Sequence, residues 1–461
     1  MGKQQSERPI VGKVKPGRTS SVRKRRKHNK MSEPLNTRLR WIADKAARDK
    51  QCVFVQLNRH IDVTLLREAY RRINKDSAAG ISGETAKEYG ADLEVNLQNL
   101  FDRLRNGTYR IPNIRRVWID KEDGRKRALG LPETEDKIVQ KAIAMLLNAV
   151  YEQDFCDFSY GFRPGRSAHQ GLQQIRASCF EKATHWIIDV DISKFFDTID
   201  HGALMRIIQQ RVNDGVLLKY IAGWLKTGVV EGGIVEYPGE GTPQGGVISP
   251  LLANIYLHYV LDRWVETEVQ PRMKGKVWLV RYADDLVIGT ELEEDARKIL
   301  GVLPKRMEKY GLKLHSAKTK LVRFQPPSNE QEEKESETFI FLGFTHYWGK
   351  TRNGRWTIKR KIAAKRIKRT MRNLWQWCKV NRHIAVKDQY QTLCKKLRGW
   401  YHYYALPCNY AIMSAVRNRT TRFWHYWLSR RSSDSPITWN KFAIVMARFP
   451  LPQPRIIHST I

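Results

Sequence analysis

Apolar residues recur along this chain in more than one rhythm. From about Leu39 the spacing is helical: Trp41, Ile42 and Ala46, then Leu65, Leu66, Tyr70 and Ile73, recur at the period of a helix with one buried stripe. In the middle of the chain, short apolar runs alternate with helical stretches. Arg116-Val-Trp-Ile119 and Trp186-Ile-Ile-Asp-Val-Asp191 predict strands, and helices are predicted around Ile138–Val150 and Leu204–Val212. Lys276-Val-Trp-Leu-Val280, a polar break, then Leu286-Val-Ile288 predicts a hairpin, and Gln325–Glu337 a charged loop between two further strands. Later, Ile362, Ile367, Met371, Leu374 and Cys378 return to helical spacing with basic residues between them. Phe449-Pro-Leu-Pro-Gln-Pro-Arg455 predicts an extended tail, and no internal repeat is visible.

Charge narrows what such a chain does. Its 461 residues, enough for two to four domains, carry 82 Lys+Arg against 47 Asp+Glu, a net charge of +35. A surplus of that size favours a polyanionic partner, because neutralised phosphates release condensed counterions. The surplus is uneven. Residues 1–30 hold eleven Lys/Arg and one Glu with almost no large apolar side chains, a composition that predicts a disordered basic arm. Residues 352–430 hold twenty Lys/Arg, one acidic residue and many aromatics, which predicts a helical domain with a cationic face. The longest uncharged stretch, Gly241 to Leu261, contains Thr242, Pro243, Gln244 and Asn254 and is too polar to span a membrane. Six scattered cysteines without a C-x-x-C pair indicate neither a disulfide framework nor a zinc ribbon, so a reducing, cytoplasmic setting near the nucleoid is expected.

Candidate chemistry sits on the predicted strands. Asp191 follows an apolar strand, and Asp284-Asp285 occupies the hairpin break. Copying a nucleic acid needs divalent cations on carboxylates held by a rigid sheet, and hard Mg²⁺ is satisfied by two or three Asp plus substrate phosphates and water. Asp189 lies on the same strand face as Asp191 and competes for the role.

The surrounding blocks resemble, in order, the reverse transcriptase and maturase proteins encoded by group II introns. Tyr282-Ala-Asp-Asp285 is similar to the palm signature of that family. Ahead of it stand Arg115-Arg-Val-Trp-Ile-Asp-Lys-Glu-Asp-Gly124, Arg127-Ala-Leu-Gly-Leu-Pro132, Ser159-Tyr-Gly-Phe-Arg-Pro-Gly-Arg166, Asp191-Ile-Ser-Lys-Phe-Phe-Asp197 and Gly241-Thr-Pro-Gln-Gly-Gly-Val-Ile-Ser-Pro250. Behind it stand Gly311-Leu, Lys318-Thr319, Phe339-Ile-Phe-Leu-Gly-Phe344 and Leu397-Arg-Gly-Trp-Tyr-His-Tyr-Tyr404. The resemblance covers roughly residues 38 to 458.

It implies an α+β right hand: a basic disordered arm (1–37), an N-terminal extension and fingers (38–182), a palm with an antiparallel sheet (183–350), a three-helix thumb or maturase domain (351–430) and a tail (431–461). Asp191, Asp284 and Asp285 match the catalytic carboxylates, for two Mg²⁺ ions with Mn²⁺ as a substitute, and Phe195-Phe196 sets the register that favours Asp191 over Asp189. Lys318 matches the proposed general acid. Lys121, Arg127, Phe196 and Gln244 match the residues that hold the incoming dNTP, with Phe196 as the gate that excludes a 2′-OH. Arg163, Arg166, the Leu342-Gly343 primer grip, Arg398, Trp400 and Tyr403 are expected on nucleic acid, although helical spacing also suits the last two to a core. Implied partners are group II intron RNA, an RNA template with a DNA primer, and target DNA; a homodimer is compatible and a membrane is not expected.

The chain departs from the family pattern at Ile119-Asp120-Lys121, where Ile-Pro-Lys is common, and at Gly80-Ile-Ser-Gly83, where Gly-x-Asp-Gly is common. Asp120 beside Lys121 is expected to weaken the triphosphate clamp slightly. No cysteine follows Cys408, so the type without a cysteine-ligated endonuclease domain is expected. Two other readings stay open at this point: a reverse transcriptase domesticated in a defence, CRISPR or retron-like system, and an RNA-binding splicing cofactor whose polymerase is idle.

Overall fold

The computed structural model describes residues 33–120, 126–231, 234–237, 241, 245–328, 337–432 and 436–458. The basic stretch 1–30 lies outside them. The first helix, α1 (Glu33–Arg48), already starts inside the span read as an arm. Leu35, Ile42 and Ala46 form its buried stripe. Trp41, expected in that stripe, is 53% exposed: it stands one position off the inward row.

The N-terminal half is built on helices with clear start signals. Asp62 caps α2 (Val63–Arg72) by accepting from Leu65 N at 2.8 Å. Further on come α3 (Ala86–Tyr89), α4 (Leu93–Arg105) and the long α5 (Thr134–Tyr151), whose Ile138, Val139, Ala142, Ile143, Leu146, Leu147 and Val150 are buried. Between α4 and α5, β1 (Ile114–Asp120) pairs antiparallel with β2 (Lys126–Leu131), placing Asp120 opposite Lys126 and Ile119 opposite Arg127. Helix α6 (Ala168–Glu181) leads into β3 (Trp186–Ser193), followed by α7 (His201–Gln209) and α8 (Gly215–Leu225), which Asp200 and Asp214 cap. Strand β4 (Val229–Glu231) pairs parallel with β1 and antiparallel with β5 (Ile234–Glu236). Helix α9 (Ser249–Leu257) runs on through wider turns to Asp262.

The central sheet follows. Strands β6 (Val277–Tyr282) and β7 (Asp285–Thr290) form the expected hairpin, and β7 pairs antiparallel with β3. Across the long helix α10 (Glu293–Glu308), the chain returns to add β8 (Lys313–Leu314) and β9 (Lys320–Arg323) to β3, also antiparallel. One face of this sheet (Ile188, Val190, Ile192, Leu279, Leu286, Ile288) belongs to the main core, with residues of α5, α9 and α10. The opposite face (Ile187, Trp278, Val280, Val287) packs with Leu172, Ile175 and Cys179 of α6 in a second core. The sheet is therefore covered on both sides along most of its length, and at its Asp191 end Asp285 is exposed to solvent.

The second core also receives a three-stranded antiparallel sheet, β10 (Phe339–Phe341), β11 (Phe344–Lys350) and β12 (Trp356–Ile362). Here the sequence reading needs correcting. Ile362 ends a strand instead of opening the helical repeat, because its backbone completes the β11 ladder opposite Phe344. Helix α11 (Ala364–Val380) starts two residues later and packs with α12 (Val386–Tyr404) and α13 (Tyr410–Leu428) around a third core. A fourth helix, α14 (Trp439–Arg448), capped by Thr438, adds Phe442 to that core from within the stretch read as a tail.

Candidate active site

Asp191 stands directly opposite Asp285 in the β3–β7 register, and Asp285 directly opposite Tyr282 in the β6–β7 register. Directly opposed residues of an antiparallel pair have Cα atoms about 4.5–5.5 Å apart and side chains on the same face. Asp191, Asp285 and Tyr282 thus form one row across three strands. Asp284 sits beside it at the hairpin tip, after Ala283 with φ +57°. A left-handed conformation costs a non-glycine residue about 1 kcal/mol or more, so the turn needs external support.

That support comes from beneath. Arg281 and Asp262 are both fully buried. The Arg281 guanidinium donates to both Asp262 oxygens (2.7 and 2.5 Å), to Ser159 Oγ (2.8 Å), to Asn254 Oδ1 (2.9 Å) and to the Ala283 carbonyl inside the turn (3.0 Å). All five guanidinium N–H groups have an acceptor. Asn254 Nδ2 donates in turn to Gly161 O at 2.6 Å. Gly161 lies so close to the hairpin that a Cβ there would sit 2.3 Å from Ala283 N, which is why no side chain fits.

The carboxylates are electrostatically loaded. Partial desolvation by the protein around Asp285, then the charges of Asp284, Asp191 and Asp189, push its carboxyl up to about 7, against the opposing pull of Arg366. Asp284 is shifted the same way by burial, partly offset by Arg127. Asp189, on the same strand face but deeper, lies opposite Val287 and Lys320 and is raised to about 6 by burial and by Asp191. Among the described residues no three His, Cys, Asp or Glu side chains are gathered as a finished metal cage. The set nonetheless fits a hard dication: Mg²⁺ takes one or two carboxylates and completes its shell with phosphates and water, and a bound cation relieves the crowding of negative charge. Asp191, Asp284 and Asp285 would hold it.

Other expected residues fall around this centre. Lys318 Nζ donates to Asp191 Oδ2 at 3.0 Å. Phe196, half-buried, lies in a short turn after β3 and packs edge-on to the buried Phe195 at 5.2 Å. Arg127 is exposed on β2, near enough for its charge to act on Asp284. Lys121 and Gln244 lie outside the described residues. Gly245, next to Gln244, approaches β2 closely enough that a Cβ would lie 2.4 Å from Gly130 O. Leu342 and Gly343 form the two-residue turn between β10 and β11, with φ of +50° and +80°. The Tyr403 hydroxyl donates to Leu342 O at 2.9 Å.

Several of the expected nucleic-acid contacts are engaged within the protein. Arg163 is buried, paired with Glu152 at 2.8 Å and bonded to the Cys156 and Ser159 carbonyls, so it braces its own loop. Arg166 pairs with Asp157 at 2.5 Å. Trp400 and Tyr403 are half-buried and pack with Tyr404, the core alternative that their helical spacing allowed, while Arg398 is exposed on α12. Sequence reasoning missed Asn254, Asp262 and Arg366. Asn254 and Asp262 did leave a signal, as isolated polar positions in an otherwise apolar helical run.

Facing carboxylates on antiparallel strands, a third on the hairpin tip, a cationic strand on one side and a half-buried Phe after the first carboxylate define the palm of a template-directed nucleic-acid polymerase. Residues 119–346 match the family described as reverse transcriptase (RNA-dependent DNA polymerase). Protein YkfC of Escherichia coli K12 is 34% identical over 322 residues, covering 63% of this chain and 81% of that protein. The group II intron-encoded protein LtrA of Lactococcus lactis is 36% identical over 229 residues, covering 48% of this chain but 36% of LtrA. Nuclear intron maturase 4, mitochondrial, of Arabidopsis thaliana is 25% identical over 245 residues, 50% of this chain and 29% of that protein. The chain belongs to the reverse transcriptase family, and the relatives it is similar to include group II intron-encoded proteins.

Proposed function

We propose that this protein copies RNA into DNA and, by binding a group II intron RNA, serves the splicing and mobility of that intron. The observation that carries the polymerase half is the register that sets Asp191 against Asp285 beside the Asp284 tip. Two Mg²⁺ ions, when bound, supply activation of the primer hydroxyl and neutralisation of the triphosphate charge. The chain's own residues do the rest. Lys318, held beside Asp191, delivers a proton toward the departing pyrophosphate. Arg127 offsets phosphate charge at the fingers side. The Phe196 ring lies under the ribose and leaves no room for a 2′-OH.

The intron half rests on the kinship with LtrA and on the cationic helices α11 to α13, whose Lys and Arg residues suit an RNA backbone. No described helix is long and apolar enough to cross a membrane.

The test is primer extension on poly(rA)/oligo(dT), with and without Mg²⁺, beside splicing of the intron RNA that flanks the gene. Wild type should extend only with the metal, and Asp284→Ala should abolish extension while splicing stays near wild type. A folded Asp284→Ala variant that loses both activities equally would show that polymerase and splicing are not separate roles.

A further inference from the structure

Five non-glycine residues among those described have positive φ, and one of them is a large exposed aromatic: Phe162, at φ +58° and 58% exposed. Neither property helps the free protein. The backbone conformation is costly for a bulky residue, and the ring gains little from burial. The neighbours prevent relaxation. Gly161 is pinned by Asn254 and by the Ala283 backbone, and Arg163 is tied to Glu152, Cys156 and Ser159. A strained, solvent-facing ring is therefore fixed in place by a buried network shared with the catalytic hairpin.

Its position gives the reason. The Phe162 ring lies 6.4 Å from that of Tyr282, tilted by 43°. Tyr282 is in the same cross-strand row as Asp285 and Asp191. The row therefore runs from two carboxylates, through a half-exposed tyrosine, to an exposed phenylalanine. A molecule that puts an oxygen at the carboxylates and extends sideways along the sheet meets an apolar ledge. Of the reactants in the proposed polymerisation, the primer has that shape: a 3′ hydroxyl at the metal end and a deoxyribose with an apolar face behind it.

We propose that Phe162, together with Tyr282, forms a ledge on which the sugar of the primer's 3′-terminal nucleotide rests. Phe162 is then a binding residue for the primer–template duplex and not for the incoming nucleotide. The backbone strain is kept because the ledge must stand out from the sheet. This inference rests on the polymerase reading above.

The test compares wild type with Phe162→Gly, Phe162→Ala and Phe162→Tyr. Glycine removes both ring and strain, so thermal stability should stay level or rise, whereas loss of a core residue would lower it. Binding of a fluorescent DNA primer on an RNA template, without nucleotide, should weaken about fivefold or more for the glycine and alanine variants, the size expected for truncating an aromatic contact residue. Tyrosine should restore it, and the KM for nucleotide should not change. The ledge is refuted if Phe162→Gly binds duplex like wild type, if it loses stability as a core residue would, or if nucleotide KM rises while duplex binding holds. A wild type that extends no primer would instead bring down the polymerase reading, and the ledge with it.

Discussion

Replacing Arg281 with Met asks whether the Asp284–Asp285 turn, catalytic in the proposed function, is held from below. The substitution keeps an unbranched side chain of similar reach but removes all five hydrogen bonds, including both to Asp262 and the one to the Ala283 carbonyl. Asp262 then remains fully buried without its guanidinium partner, with the His258 imidazole at 4.0 Å as a cationic neighbour only when protonated. Stranding one member of a buried pair costs about 3–5 kcal/mol, a large part of the stability of an ordinary domain. A second substitution separates stability from positioning. In Arg281→Met with Asp262→Leu the orphaned charge is gone, and apolar replacement of a buried pair is often neutral, so urea unfolding should return close to wild type. Activity should not return, because Ala283 O and Asn254 still lack their donor and the Asp284–Asp285 tip is no longer pinned. A displacement of about 1 Å in reacting groups lowers the rate on the order of a hundredfold, which single-turnover primer extension at saturating nucleotide would detect. Wild-type turnover in a stable double variant would refute the reasoning, since the turn would then keep its shape without Arg281.

Other outcomes follow from the same geometry. Phe196→Ala should raise incorporation of ribonucleotides relative to deoxynucleotides in a competition assay; efficient ribonucleotide use by wild type would remove the gate from Phe196. Gly161→Ala forces a Cβ against the Ala283 backbone, so extension should collapse even if the variant folds, whereas unchanged extension would show that the contact yields easily. His258, buried beside Asp262, has its pKa lowered to about 4, chiefly by burial. A depressed folded-state value stabilises the fold fully above the ordinary value of 6.5 and loses that contribution as pH falls from there toward 4, at most about 3 kcal/mol. His258→Gln should flatten that part of the acid-unfolding curve, and an unchanged curve would place the acid sensitivity elsewhere.

The strands that carry Asp191 and Asp285 were legible in the sequence because Asp191 comes late in one apolar run and Asp285 opens another, and burial of both sheet faces demands such runs. Local rhythm also gave α5, the β6–β7 hairpin and most of α11. It failed where neighbours in space, not in sequence, decide. Ile362 fits a helical repeat by spacing, yet a strand eighteen positions earlier claims its backbone. Phe442 reads as part of a tail until Trp424 of α13 offers it an edge-to-face contact at 5.7 Å. Arg163 is expected on nucleic acid from the resemblance of its block, and only the fold reveals Glu152 paired with it at 2.8 Å. The same blindness hid the machinery beneath the active site. A sequence block shows which carboxylates are present but not what aims them. Arg281 and Gly161 look unremarkable in their own segments, Asn254 and Asp262 show only as isolated polar positions in an apolar run, and the four become a brace for Asp284 and Asp285 once β6, α9 and the Gly161 loop meet. In this palm the proposed reacting groups are local features of the sequence, whereas their positioning is a property of the tertiary fold.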